Sequence, residues 1–172
     1  MALLFAGHET TIVVQIGMTA LLLWAEPEQW SALVAEPGLV HNAVEETLRA
    51  SRKGGNGIPR YARTDLEVDG VTIRAGELVL LDTGAGNHDP AEFGDPERVD
   101  ITRQASHLTF GHGARYCIGA PLARIERQTV FSQLIFRMPG LRLAVGVAEL
   151  TMRHDVLLNL SLKHLSEPTR PS

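Results

Sequence analysis

Apolar residues occupy nearly every side of the helix that residues 2–25, ALLFAGHETTIVVQIGMTALLLWA, would form. This pattern predicts a long helix that is buried all round, because a helix at the surface keeps one polar face. His8, Glu9 and Gln15 interrupt the stretch. A buried helix is therefore a better prediction than a membrane span.

Three further helices follow from the spacing of apolar residues. EPEQWSALVAEP, between Pro27 and Pro37, predicts a short amphipathic helix, and residues 41–52 predict a second that ends at the glycine-rich run GGNG. Residues 118–138 predict a long helix that Pro139 and Gly140 close.

Strands are predicted in the middle and at the end of the chain. IPRYART is rich in β-forming residues, and LEVDGVTIRAG predicts a hairpin that turns at Asp69-Gly70. ELVLLDTG predicts an apolar strand covered on both faces, and residues 87–107 predict an irregular segment. Late strands are predicted at LRLAV and VLLNLSL. The fold class is mainly α (α+β), with long helices and short hairpins set to one side.

Composition narrows the class of protein. A chain of 172 residues is enough for a single domain over residues 1–172. The net charge of −4 gives no case for binding nucleic acid or an anionic membrane surface. One cysteine cannot form an internal disulfide, and the apolar start lacks the basic region of a signal peptide. Residues 165–172 predict a disordered tail.

The single cysteine lies in a glycine-rich loop, FGHGARYCIG, at residues 110–119. Gly111, Gly113 and Gly119 permit positive φ and a close approach of the backbone to a partner. Cys117 stands just before the predicted 118–138 helix, whose first N–H groups and partial positive charge would favour a thiolate over a thiol.

Three interpretations of this loop stay open on spacing alone. Cys117 could be a buried structural residue in a glycine-rich turn. His107, His112 and Cys117 could bind zinc, although steps of five residues are awkward and no fourth ligand is evident. Finally, the cysteine sulfur could hold a haem iron as a thiolate.

FGHGARYCIG resembles the haem-binding loop of the cytochrome P450 family, Phe-Gly-x-Gly-x-Arg-x-Cys-x-Gly, at every fixed position. The resemblance implies haem b, with Cys117 as the axial ligand of the iron. Phe110 would pack under the haem near the sulfur. Arg115 would pair with one propionate, and Arg60 in IPRYART with the other. Gly111, Gly113 and Gly119 complete the implied cofactor-binding loop.

EETLR places Glu46 and Arg49 three residues apart on one helical face. Taken alone, this spacing is equally typical of a solvated ion pair. The resemblance implies a buried structural triad, which Arg98 of DPERVD would complete.

AGHETT resembles the oxygen-activation motif of the same family, although it could also be a polar patch in a packed helix. The resemblance implies that Gly7 leaves room for dioxygen and that Ala6 and Gly7 are among the cofactor-binding residues. Glu9 and Thr10 would be the catalytic residues, steering water and protons into the site.

The resemblance implies a bacterial-type monooxygenase that inserts oxygen from O2 into a small hydrophobic organic substrate. Electrons would come from NAD(P)H through a ferredoxin reductase and a ferredoxin. We expect no nucleic acid partner and no membrane span, and the resemblance to bacterial members implies a cytoplasmic location. Ile58 and Tyr61 would face the substrate. Arg124 and Arg127, with His112, would form a basic docking surface for the electron donor, although a solvated helix face explains them equally well.

The resemblance extends from residue 2 to about residue 163 and covers less than half of the family's usual fold. Two alternatives to an active enzyme therefore stay open. The chain could be a truncated, catalytically inactive remnant, or it could be one part of a split protein.

Overall fold

A computed structural model describes residues 12–51, 57–104, 106–150, 152–153 and 161–162. The described residues are mainly helical with a few short antiparallel strand pairs, which confirms the predicted fold class. The helices are α1 Val13–Ala25, α2 Pro27–Ala35, α3 Val40–Ala50, α4 Thr83–Asn87 and α5 Ala120–Arg137. The strands are β1 Ile58–Tyr61, β2 Leu66–Val68, β3 Val71–Ile73, β4 Leu78–Leu81, β5 Met152–Arg153 and β6 Ser161–Leu162.

The hydrophobic core lies where α1, α2, α3 and α5 meet. Proline at the first position of α2 suits a helix start, because an N–H group at that position would have no hydrogen-bond acceptor within the helix. Trp30 of α2 donates its indole N–H to the carbonyl oxygen of Pro139 at 2.8 Å, which ties α2 to the chain just after α5. The core is formed by Ala20, Leu23, Trp30, Leu33, Val40, Ala43, Ile101, Phe131 and Ile135.

The strands form three separate antiparallel pairs. β1 pairs with β4, with Ile58 opposite Leu81, and β5 pairs with β6. β2 pairs with β3 across the predicted turn, where Asp69 (φ 49°) and Gly70 (φ 76°) both adopt left-handed backbone. Two consecutive left-handed residues are what a tight hairpin of this twist requires, so the hairpin prediction is confirmed.

Several packing predictions were wrong. Leu78, Leu80 and Leu81 of β4 are exposed, because among the described residues this strand pairs only with β1 and no helix covers it. LRLAV forms no strand, and its Leu141 packs against the helical core. α1 is not buried all round, since Val13 is exposed.

Parts of three predicted elements lie outside the described residues. These are residues 2–11 of the first predicted helix, most of VLLNLSL, and the predicted tail at 165–172.

Candidate functional site

The loop that carries Cys117 is a tight, internally bonded turn. The Cys117 N–H donates to the carbonyl oxygen of Phe110 at 2.8 Å, which closes the loop on itself. Gly111 (φ 76°) and Gly113 (φ 65°) supply the left-handed backbone that the turn needs. Cys117 is exposed, and its carbonyl oxygen accepts the Ala120 N–H at 3.2 Å, at the start of α5.

Gly119 departs from the prediction of a positive φ. Its φ is −84°, an ordinary right-handed helical value that any residue can adopt. A β-carbon at this position would lie 3.8 Å from the Cys117 Sγ atom. Glycine therefore keeps the space beside the sulfur clear.

Asn87 anchors the start of the loop, a role that sequence reasoning missed. Its buried side chain accepts the Leu108 N–H at 2.7 Å and donates to Thr109 Oγ1 at 2.9 Å. Thr109 in turn donates to the Leu48 carbonyl oxygen of α3 at 2.8 Å. Asp82, whose carboxylate caps the first turn of α4 by accepting the Ala85 N–H, was the available signal for the helix that places Asn87.

A cavity of about 780 Å³ opens beside this loop. Cys117, Phe110 and Gly119 lie in its wall, as do Arg115 and Arg60. Apolar side chains form much of the remaining wall, among them Ile12, Leu48, Ile58, Leu81, Leu108 and Leu122.

Arg115 and Arg60 are the two exposed arginines among the three in this cavity wall, the third being the buried Arg127. Within the part of the chain that the structure describes, neither guanidinium meets a carboxylate. Arg60 donates to the neighbouring Pro59 carbonyl oxygen at 2.9 Å and to no other group among the described residues. Both side chains are therefore available to a ligand that carries carboxylates.

Glu46 and Arg49 form a fully buried ion pair beneath the loop. Arg49 Nε and Nη2 donate to the two carboxylate oxygens of Glu46, each at 2.8 Å. Arg49 Nη1 donates to the carbonyl oxygens of Asn87 (2.8 Å) and Pro96 (2.9 Å). The alternative of a solvated ion pair is excluded by this burial.

The structure corrects the third member of this triad. Arg103, not Arg98, places its Nε atom 3.3 Å from Glu46 Oε1. Arg98 contributes its backbone carbonyl oxygen, which accepts from Arg49 Nη2 at 3.3 Å, while its side chain is exposed. The chain turns back between the two arginines, where the Asp100 N–H donates to Glu46 Oε1 at 3.0 Å.

Arg124 and Arg127 of α5 do not fit the alternative of a solvated helix face, because both make hydrogen bonds inside the protein. Arg127 is 1% exposed, and its Nη2 donates to the Gln15 carbonyl oxygen (2.8 Å) and to Thr19 Oγ1 (3.0 Å). Burial lowers the pKa of Arg127 to about 10. Arg124 is bound to Glu45 by two hydrogen bonds. Of the three predicted docking residues, His112 is exposed.

Other site predictions have mixed outcomes. Ile58 lies in the cavity wall, whereas Tyr61 is exposed and is not part of that wall. Across the described ranges, no three His, Cys, Asp or Glu side chains could share a metal ion, so the zinc interpretation gains no support. Ala6, Gly7, Glu9 and Thr10 lie outside the described residues.

No helix among the described residues is long and apolar enough to cross a membrane.

Comparison with known proteins defines the class. The family model for cytochrome P450 matches residues 31–138. The chain is 46% identical over 155 residues to cytochrome P450 105C1 of a Streptomyces species, which covers 90% of this chain and 40% of that protein. It is also 46% identical over 158 residues to the mycinamicin IV hydroxylase/epoxidase of Micromonospora griseorubida, covering 91% of this chain and 40% of that protein.

A solved structure shows the same arrangement. The LnmA cytochrome P450 hydroxylase of the leinamycin biosynthetic pathway of Streptomyces atroolivaceus S-140 superposes with a TM-score of 0.87 at 43% identity. The alignment covers 94% of this chain and 42% of that one.

The matching family and relatives define the class as haem-thiolate proteins. The chain belongs to the cytochrome P450 family. Membership implies the use of haem and O2. The chain spans about 40% of the length of the curated relatives it matches.

The described residues fit a haem. Cys117 is exposed at the cavity and can offer its sulfur to iron. Arg60 and Arg115 have no carboxylate partner among the described residues, so their guanidinium groups can pair with the two propionates. The apolar part of the cavity wall suits the porphyrin ring.

Proposed function

We propose that residues 1–172 form the haem-binding, C-terminal part of a bacterial-type cytochrome P450 monooxygenase. The observation that carries the proposal is the position of Cys117, exposed in the wall of a cavity that also holds two arginines without an acidic partner among the described residues. The substrate would be a small hydrophobic organic molecule that gains one oxygen atom from O2.

Residues of the loop, together with Arg60, would hold the cofactor. Cys117 would offer its sulfur to the iron, and Arg115 and Arg60 would pair with the propionates. Phe110 shields the sulfur from water, which preserves the thiolate's electron donation. Gly111, Gly113 and Gly119 let the backbone approach the ring. Bound haem would supply the activation of O2 that amino-acid side chains cannot perform.

The AGHETT segment would manage oxygen and protons at the bound cofactor. Gly7 would leave room for dioxygen because it has no side chain, and Ala6 would belong to the cofactor-binding set. Thr10 would hold a proton on its Oγ1 atom and receive the next one from water ordered by Glu9.

The proposed reductants are a ferredoxin and a ferredoxin reductase that draws on NAD(P)H, in the cytoplasm. The relatives support an organic substrate: their names include a hydroxylase/epoxidase of mycinamicin IV and a vitamin D(3) 25-hydroxylase of Pseudonocardia autotrophica.

Haem reconstitution tests the proposal directly. The purified chain is mixed with haem, reduced and exposed to carbon monoxide. We expect the red-shifted Soret band of thiolate ligation, and its loss in Cys117→Ser. His112→Ala is the matched control in the same loop and should keep the band. Failure of the unmodified chain to take up haem would refute the proposal for this chain.

The alternatives are a catalytically inactive remnant and one part of a split protein. Two observations favour them: the chain spans about 40% of its relatives' length, and Phe136 of α5, a large apolar residue, is 83% exposed. Haem uptake only on addition of a second chain would identify a split protein.

A further inference from the structure

Glu45 is the centre of a polar cluster that joins three elements. Its side chain on α3 is 16% exposed and accepts two parallel hydrogen bonds from Arg124 of α5, from Nε at 2.7 Å and from Nη2 at 2.8 Å. Its Oε2 atom also lies 3.2 Å from Nε2 of His107, at the start of the cysteine loop. We call Glu45, His107, Phe110, Tyr116 and Arg124 the Glu45 cluster.

Arg124 also contacts the cysteine loop and so links it to Glu45. Its Nη1 donates to the Tyr116 hydroxyl at 2.8 Å, and its guanidinium carbon lies 4.7 Å from the centre of the Phe110 ring. The flat guanidinium therefore faces the ring in a cation–π contact, with its orientation set by Glu45 and Tyr116.

Two more rings confine Phe110. The His107 ring centre is 6.0 Å from that of Phe110 at a tilt of 45°, and the Tyr116 ring centre is 6.2 Å away at 63°. The Thr109 N–H donates to His107 Nδ1 at 3.2 Å, which leaves Nε2 as the nitrogen that donates to Glu45.

Phe110 and Cys117 move together because the Cys117 N–H donates to the Phe110 carbonyl oxygen at 2.8 Å. A shift of Phe110 thus shifts the backbone of the cysteine. An exposed ion pair would not hold a loop in place. The pair of Glu45 and Arg124 can do so, because it has two parallel hydrogen bonds, is largely buried and contacts both ends of the loop.

We propose that Glu45 is a positioning residue for the haem-ligating loop: through Arg124 it fixes Phe110, and through Phe110 it fixes the direction in which Cys117 presents its sulfur. The part of this inference that concerns haem rests on the proposed function. The part that concerns the loop does not.

The first experiment uses the haem-free chain. Hydrogen exchange at the amides of Gly111 and Cys117 is compared in the wild type, Glu45→Gln and Glu28→Gln, the last being an exposed helical glutamate whose charge is removed in the same way. In Glu45→Gln we expect exchange at both loop amides to rise about tenfold, while that of Leu23 in α1 stays within about twofold. Unchanged loop exchange, or an equal rise at Leu23, would overturn the proposal.

The second experiment uses the haem-loaded chain. We expect Glu45→Gln to change the midpoint potential and the Soret band of the reduced carbon monoxide complex, with Glu45→Asp restoring most of both because it keeps the charge. Wild-type values in haem-loaded Glu45→Gln would refute the role. If the wild type takes up no haem, the proposed function fails, and the exchange result alone supports or overturns the positioning of the loop.

Discussion

Arg49 and Arg127 are both completely buried, yet their surroundings differ. All five N–H groups of Arg49 are used, by Glu46 and by the carbonyl oxygens of Asn87, Pro96 and Arg98. Among the described residues, Arg127 is bonded through Nη2 alone, and its Nε and Nη1 meet no hydrogen-bond partner there. Burial of a charge is costly unless its hydrogen bonds are made, so the two guanidinium groups contribute differently to stability.

Replacing each arginine by methionine should distinguish the contributions of Arg49 and Arg127 to the free energy of unfolding. Arg49→Met should lower the free energy of unfolding by about 3–5 kcal/mol, because it leaves the carboxylate of Glu46 buried without its main partner. Arg127→Met should change it by less than about 1 kcal/mol, since the lost hydrogen bonds are offset by relief of an unpaired buried charge. Urea unfolding of both variants measures the difference, and equal losses would contradict it.

Glu45 should make stability depend on pH. Burial alone would raise the pKa of Glu45, but hydrogen bonds from His107 and Arg124, with the charge of Arg124, outweigh it and lower the pKa from 4.5 to about 2. Because the folded pKa is depressed, this contribution is complete above about pH 4.5 and is lost as the pH falls toward about 2.

The measurement compares the wild type with Glu45→Gln in urea at several pH values. We expect the wild type to be more stable by about 1–2 kcal/mol near neutral pH, with the gap closing below about pH 4. A gap that stays constant with pH would show that the charge of Glu45 is not its source.

At this scale, the sequence was enough to predict which residues share a helical face, but not how deeply they are buried or which partner they have. The spacing of Glu46 and Arg49 placed them on one helical face, and the structure shows them paired. The choice of Arg103 over Arg98 depends on the turn between them, which carries no periodicity. The anchoring role of Asn87 likewise depends on contacts 21 and 22 residues away.

At the scale of elements, the glycines of the cysteine loop have separable tasks. Gly113 has φ 65° with nothing within 4 Å of a β-carbon, so its requirement is for backbone conformation. Gly119 has an ordinary φ, and a β-carbon there would touch the Cys117 sulfur. One glycine shapes the loop, and the other keeps access to the sulfur open.

Alanine at each position should reveal the two tasks. Gly113→Ala should lower the free energy of unfolding by about 1–2 kcal/mol, the cost of a left-handed alanine. Gly119→Ala should leave stability within about 0.5 kcal/mol of the wild type but should weaken haem uptake in a spectroscopic titration. If Gly119→Ala binds haem as the wild type does, its proposed role beside the sulfur is wrong.

Elements with a local signal were predictable, and their packing was not. Asp69-Gly70 specifies its own turn, and Pro139-Gly140 follows the end of α5 closely. LRLAV has the composition of a strand, but a strand needs a partner strand to form. Its Leu141 packs against the helical core instead. The continuous apolar run of β4 predicted a strand buried on both faces. Burial depends on the elements that pack against the strand, and its leucines are exposed.

For the molecule as a whole, haem binding and folding should be coupled. A ligand that binds only the folded chain stabilises it, by about 2.7 kcal/mol at a free concentration one hundred times its dissociation constant. We expect haem to raise the thermal midpoint of the wild type and to raise that of Cys117→Ser much less. Iron-free protoporphyrin is the control ligand, because it fills the cavity without a bond to sulfur. Equal shifts for both porphyrins would argue against ligation by Cys117.

The buried carboxylate of Glu46 also bears on the order in which the chain can fold. Arg49 lies one helical turn away and can pair with it as soon as α3 forms, whereas Arg103 lies 57 residues further along the chain. Closing so long a loop is slow compared with forming a helix. Before that closure, water must solvate the carboxylate, so α3 cannot be fully enclosed until residues 87–103 have wrapped around it. The last step of folding is therefore expected to be the docking of this irregular segment.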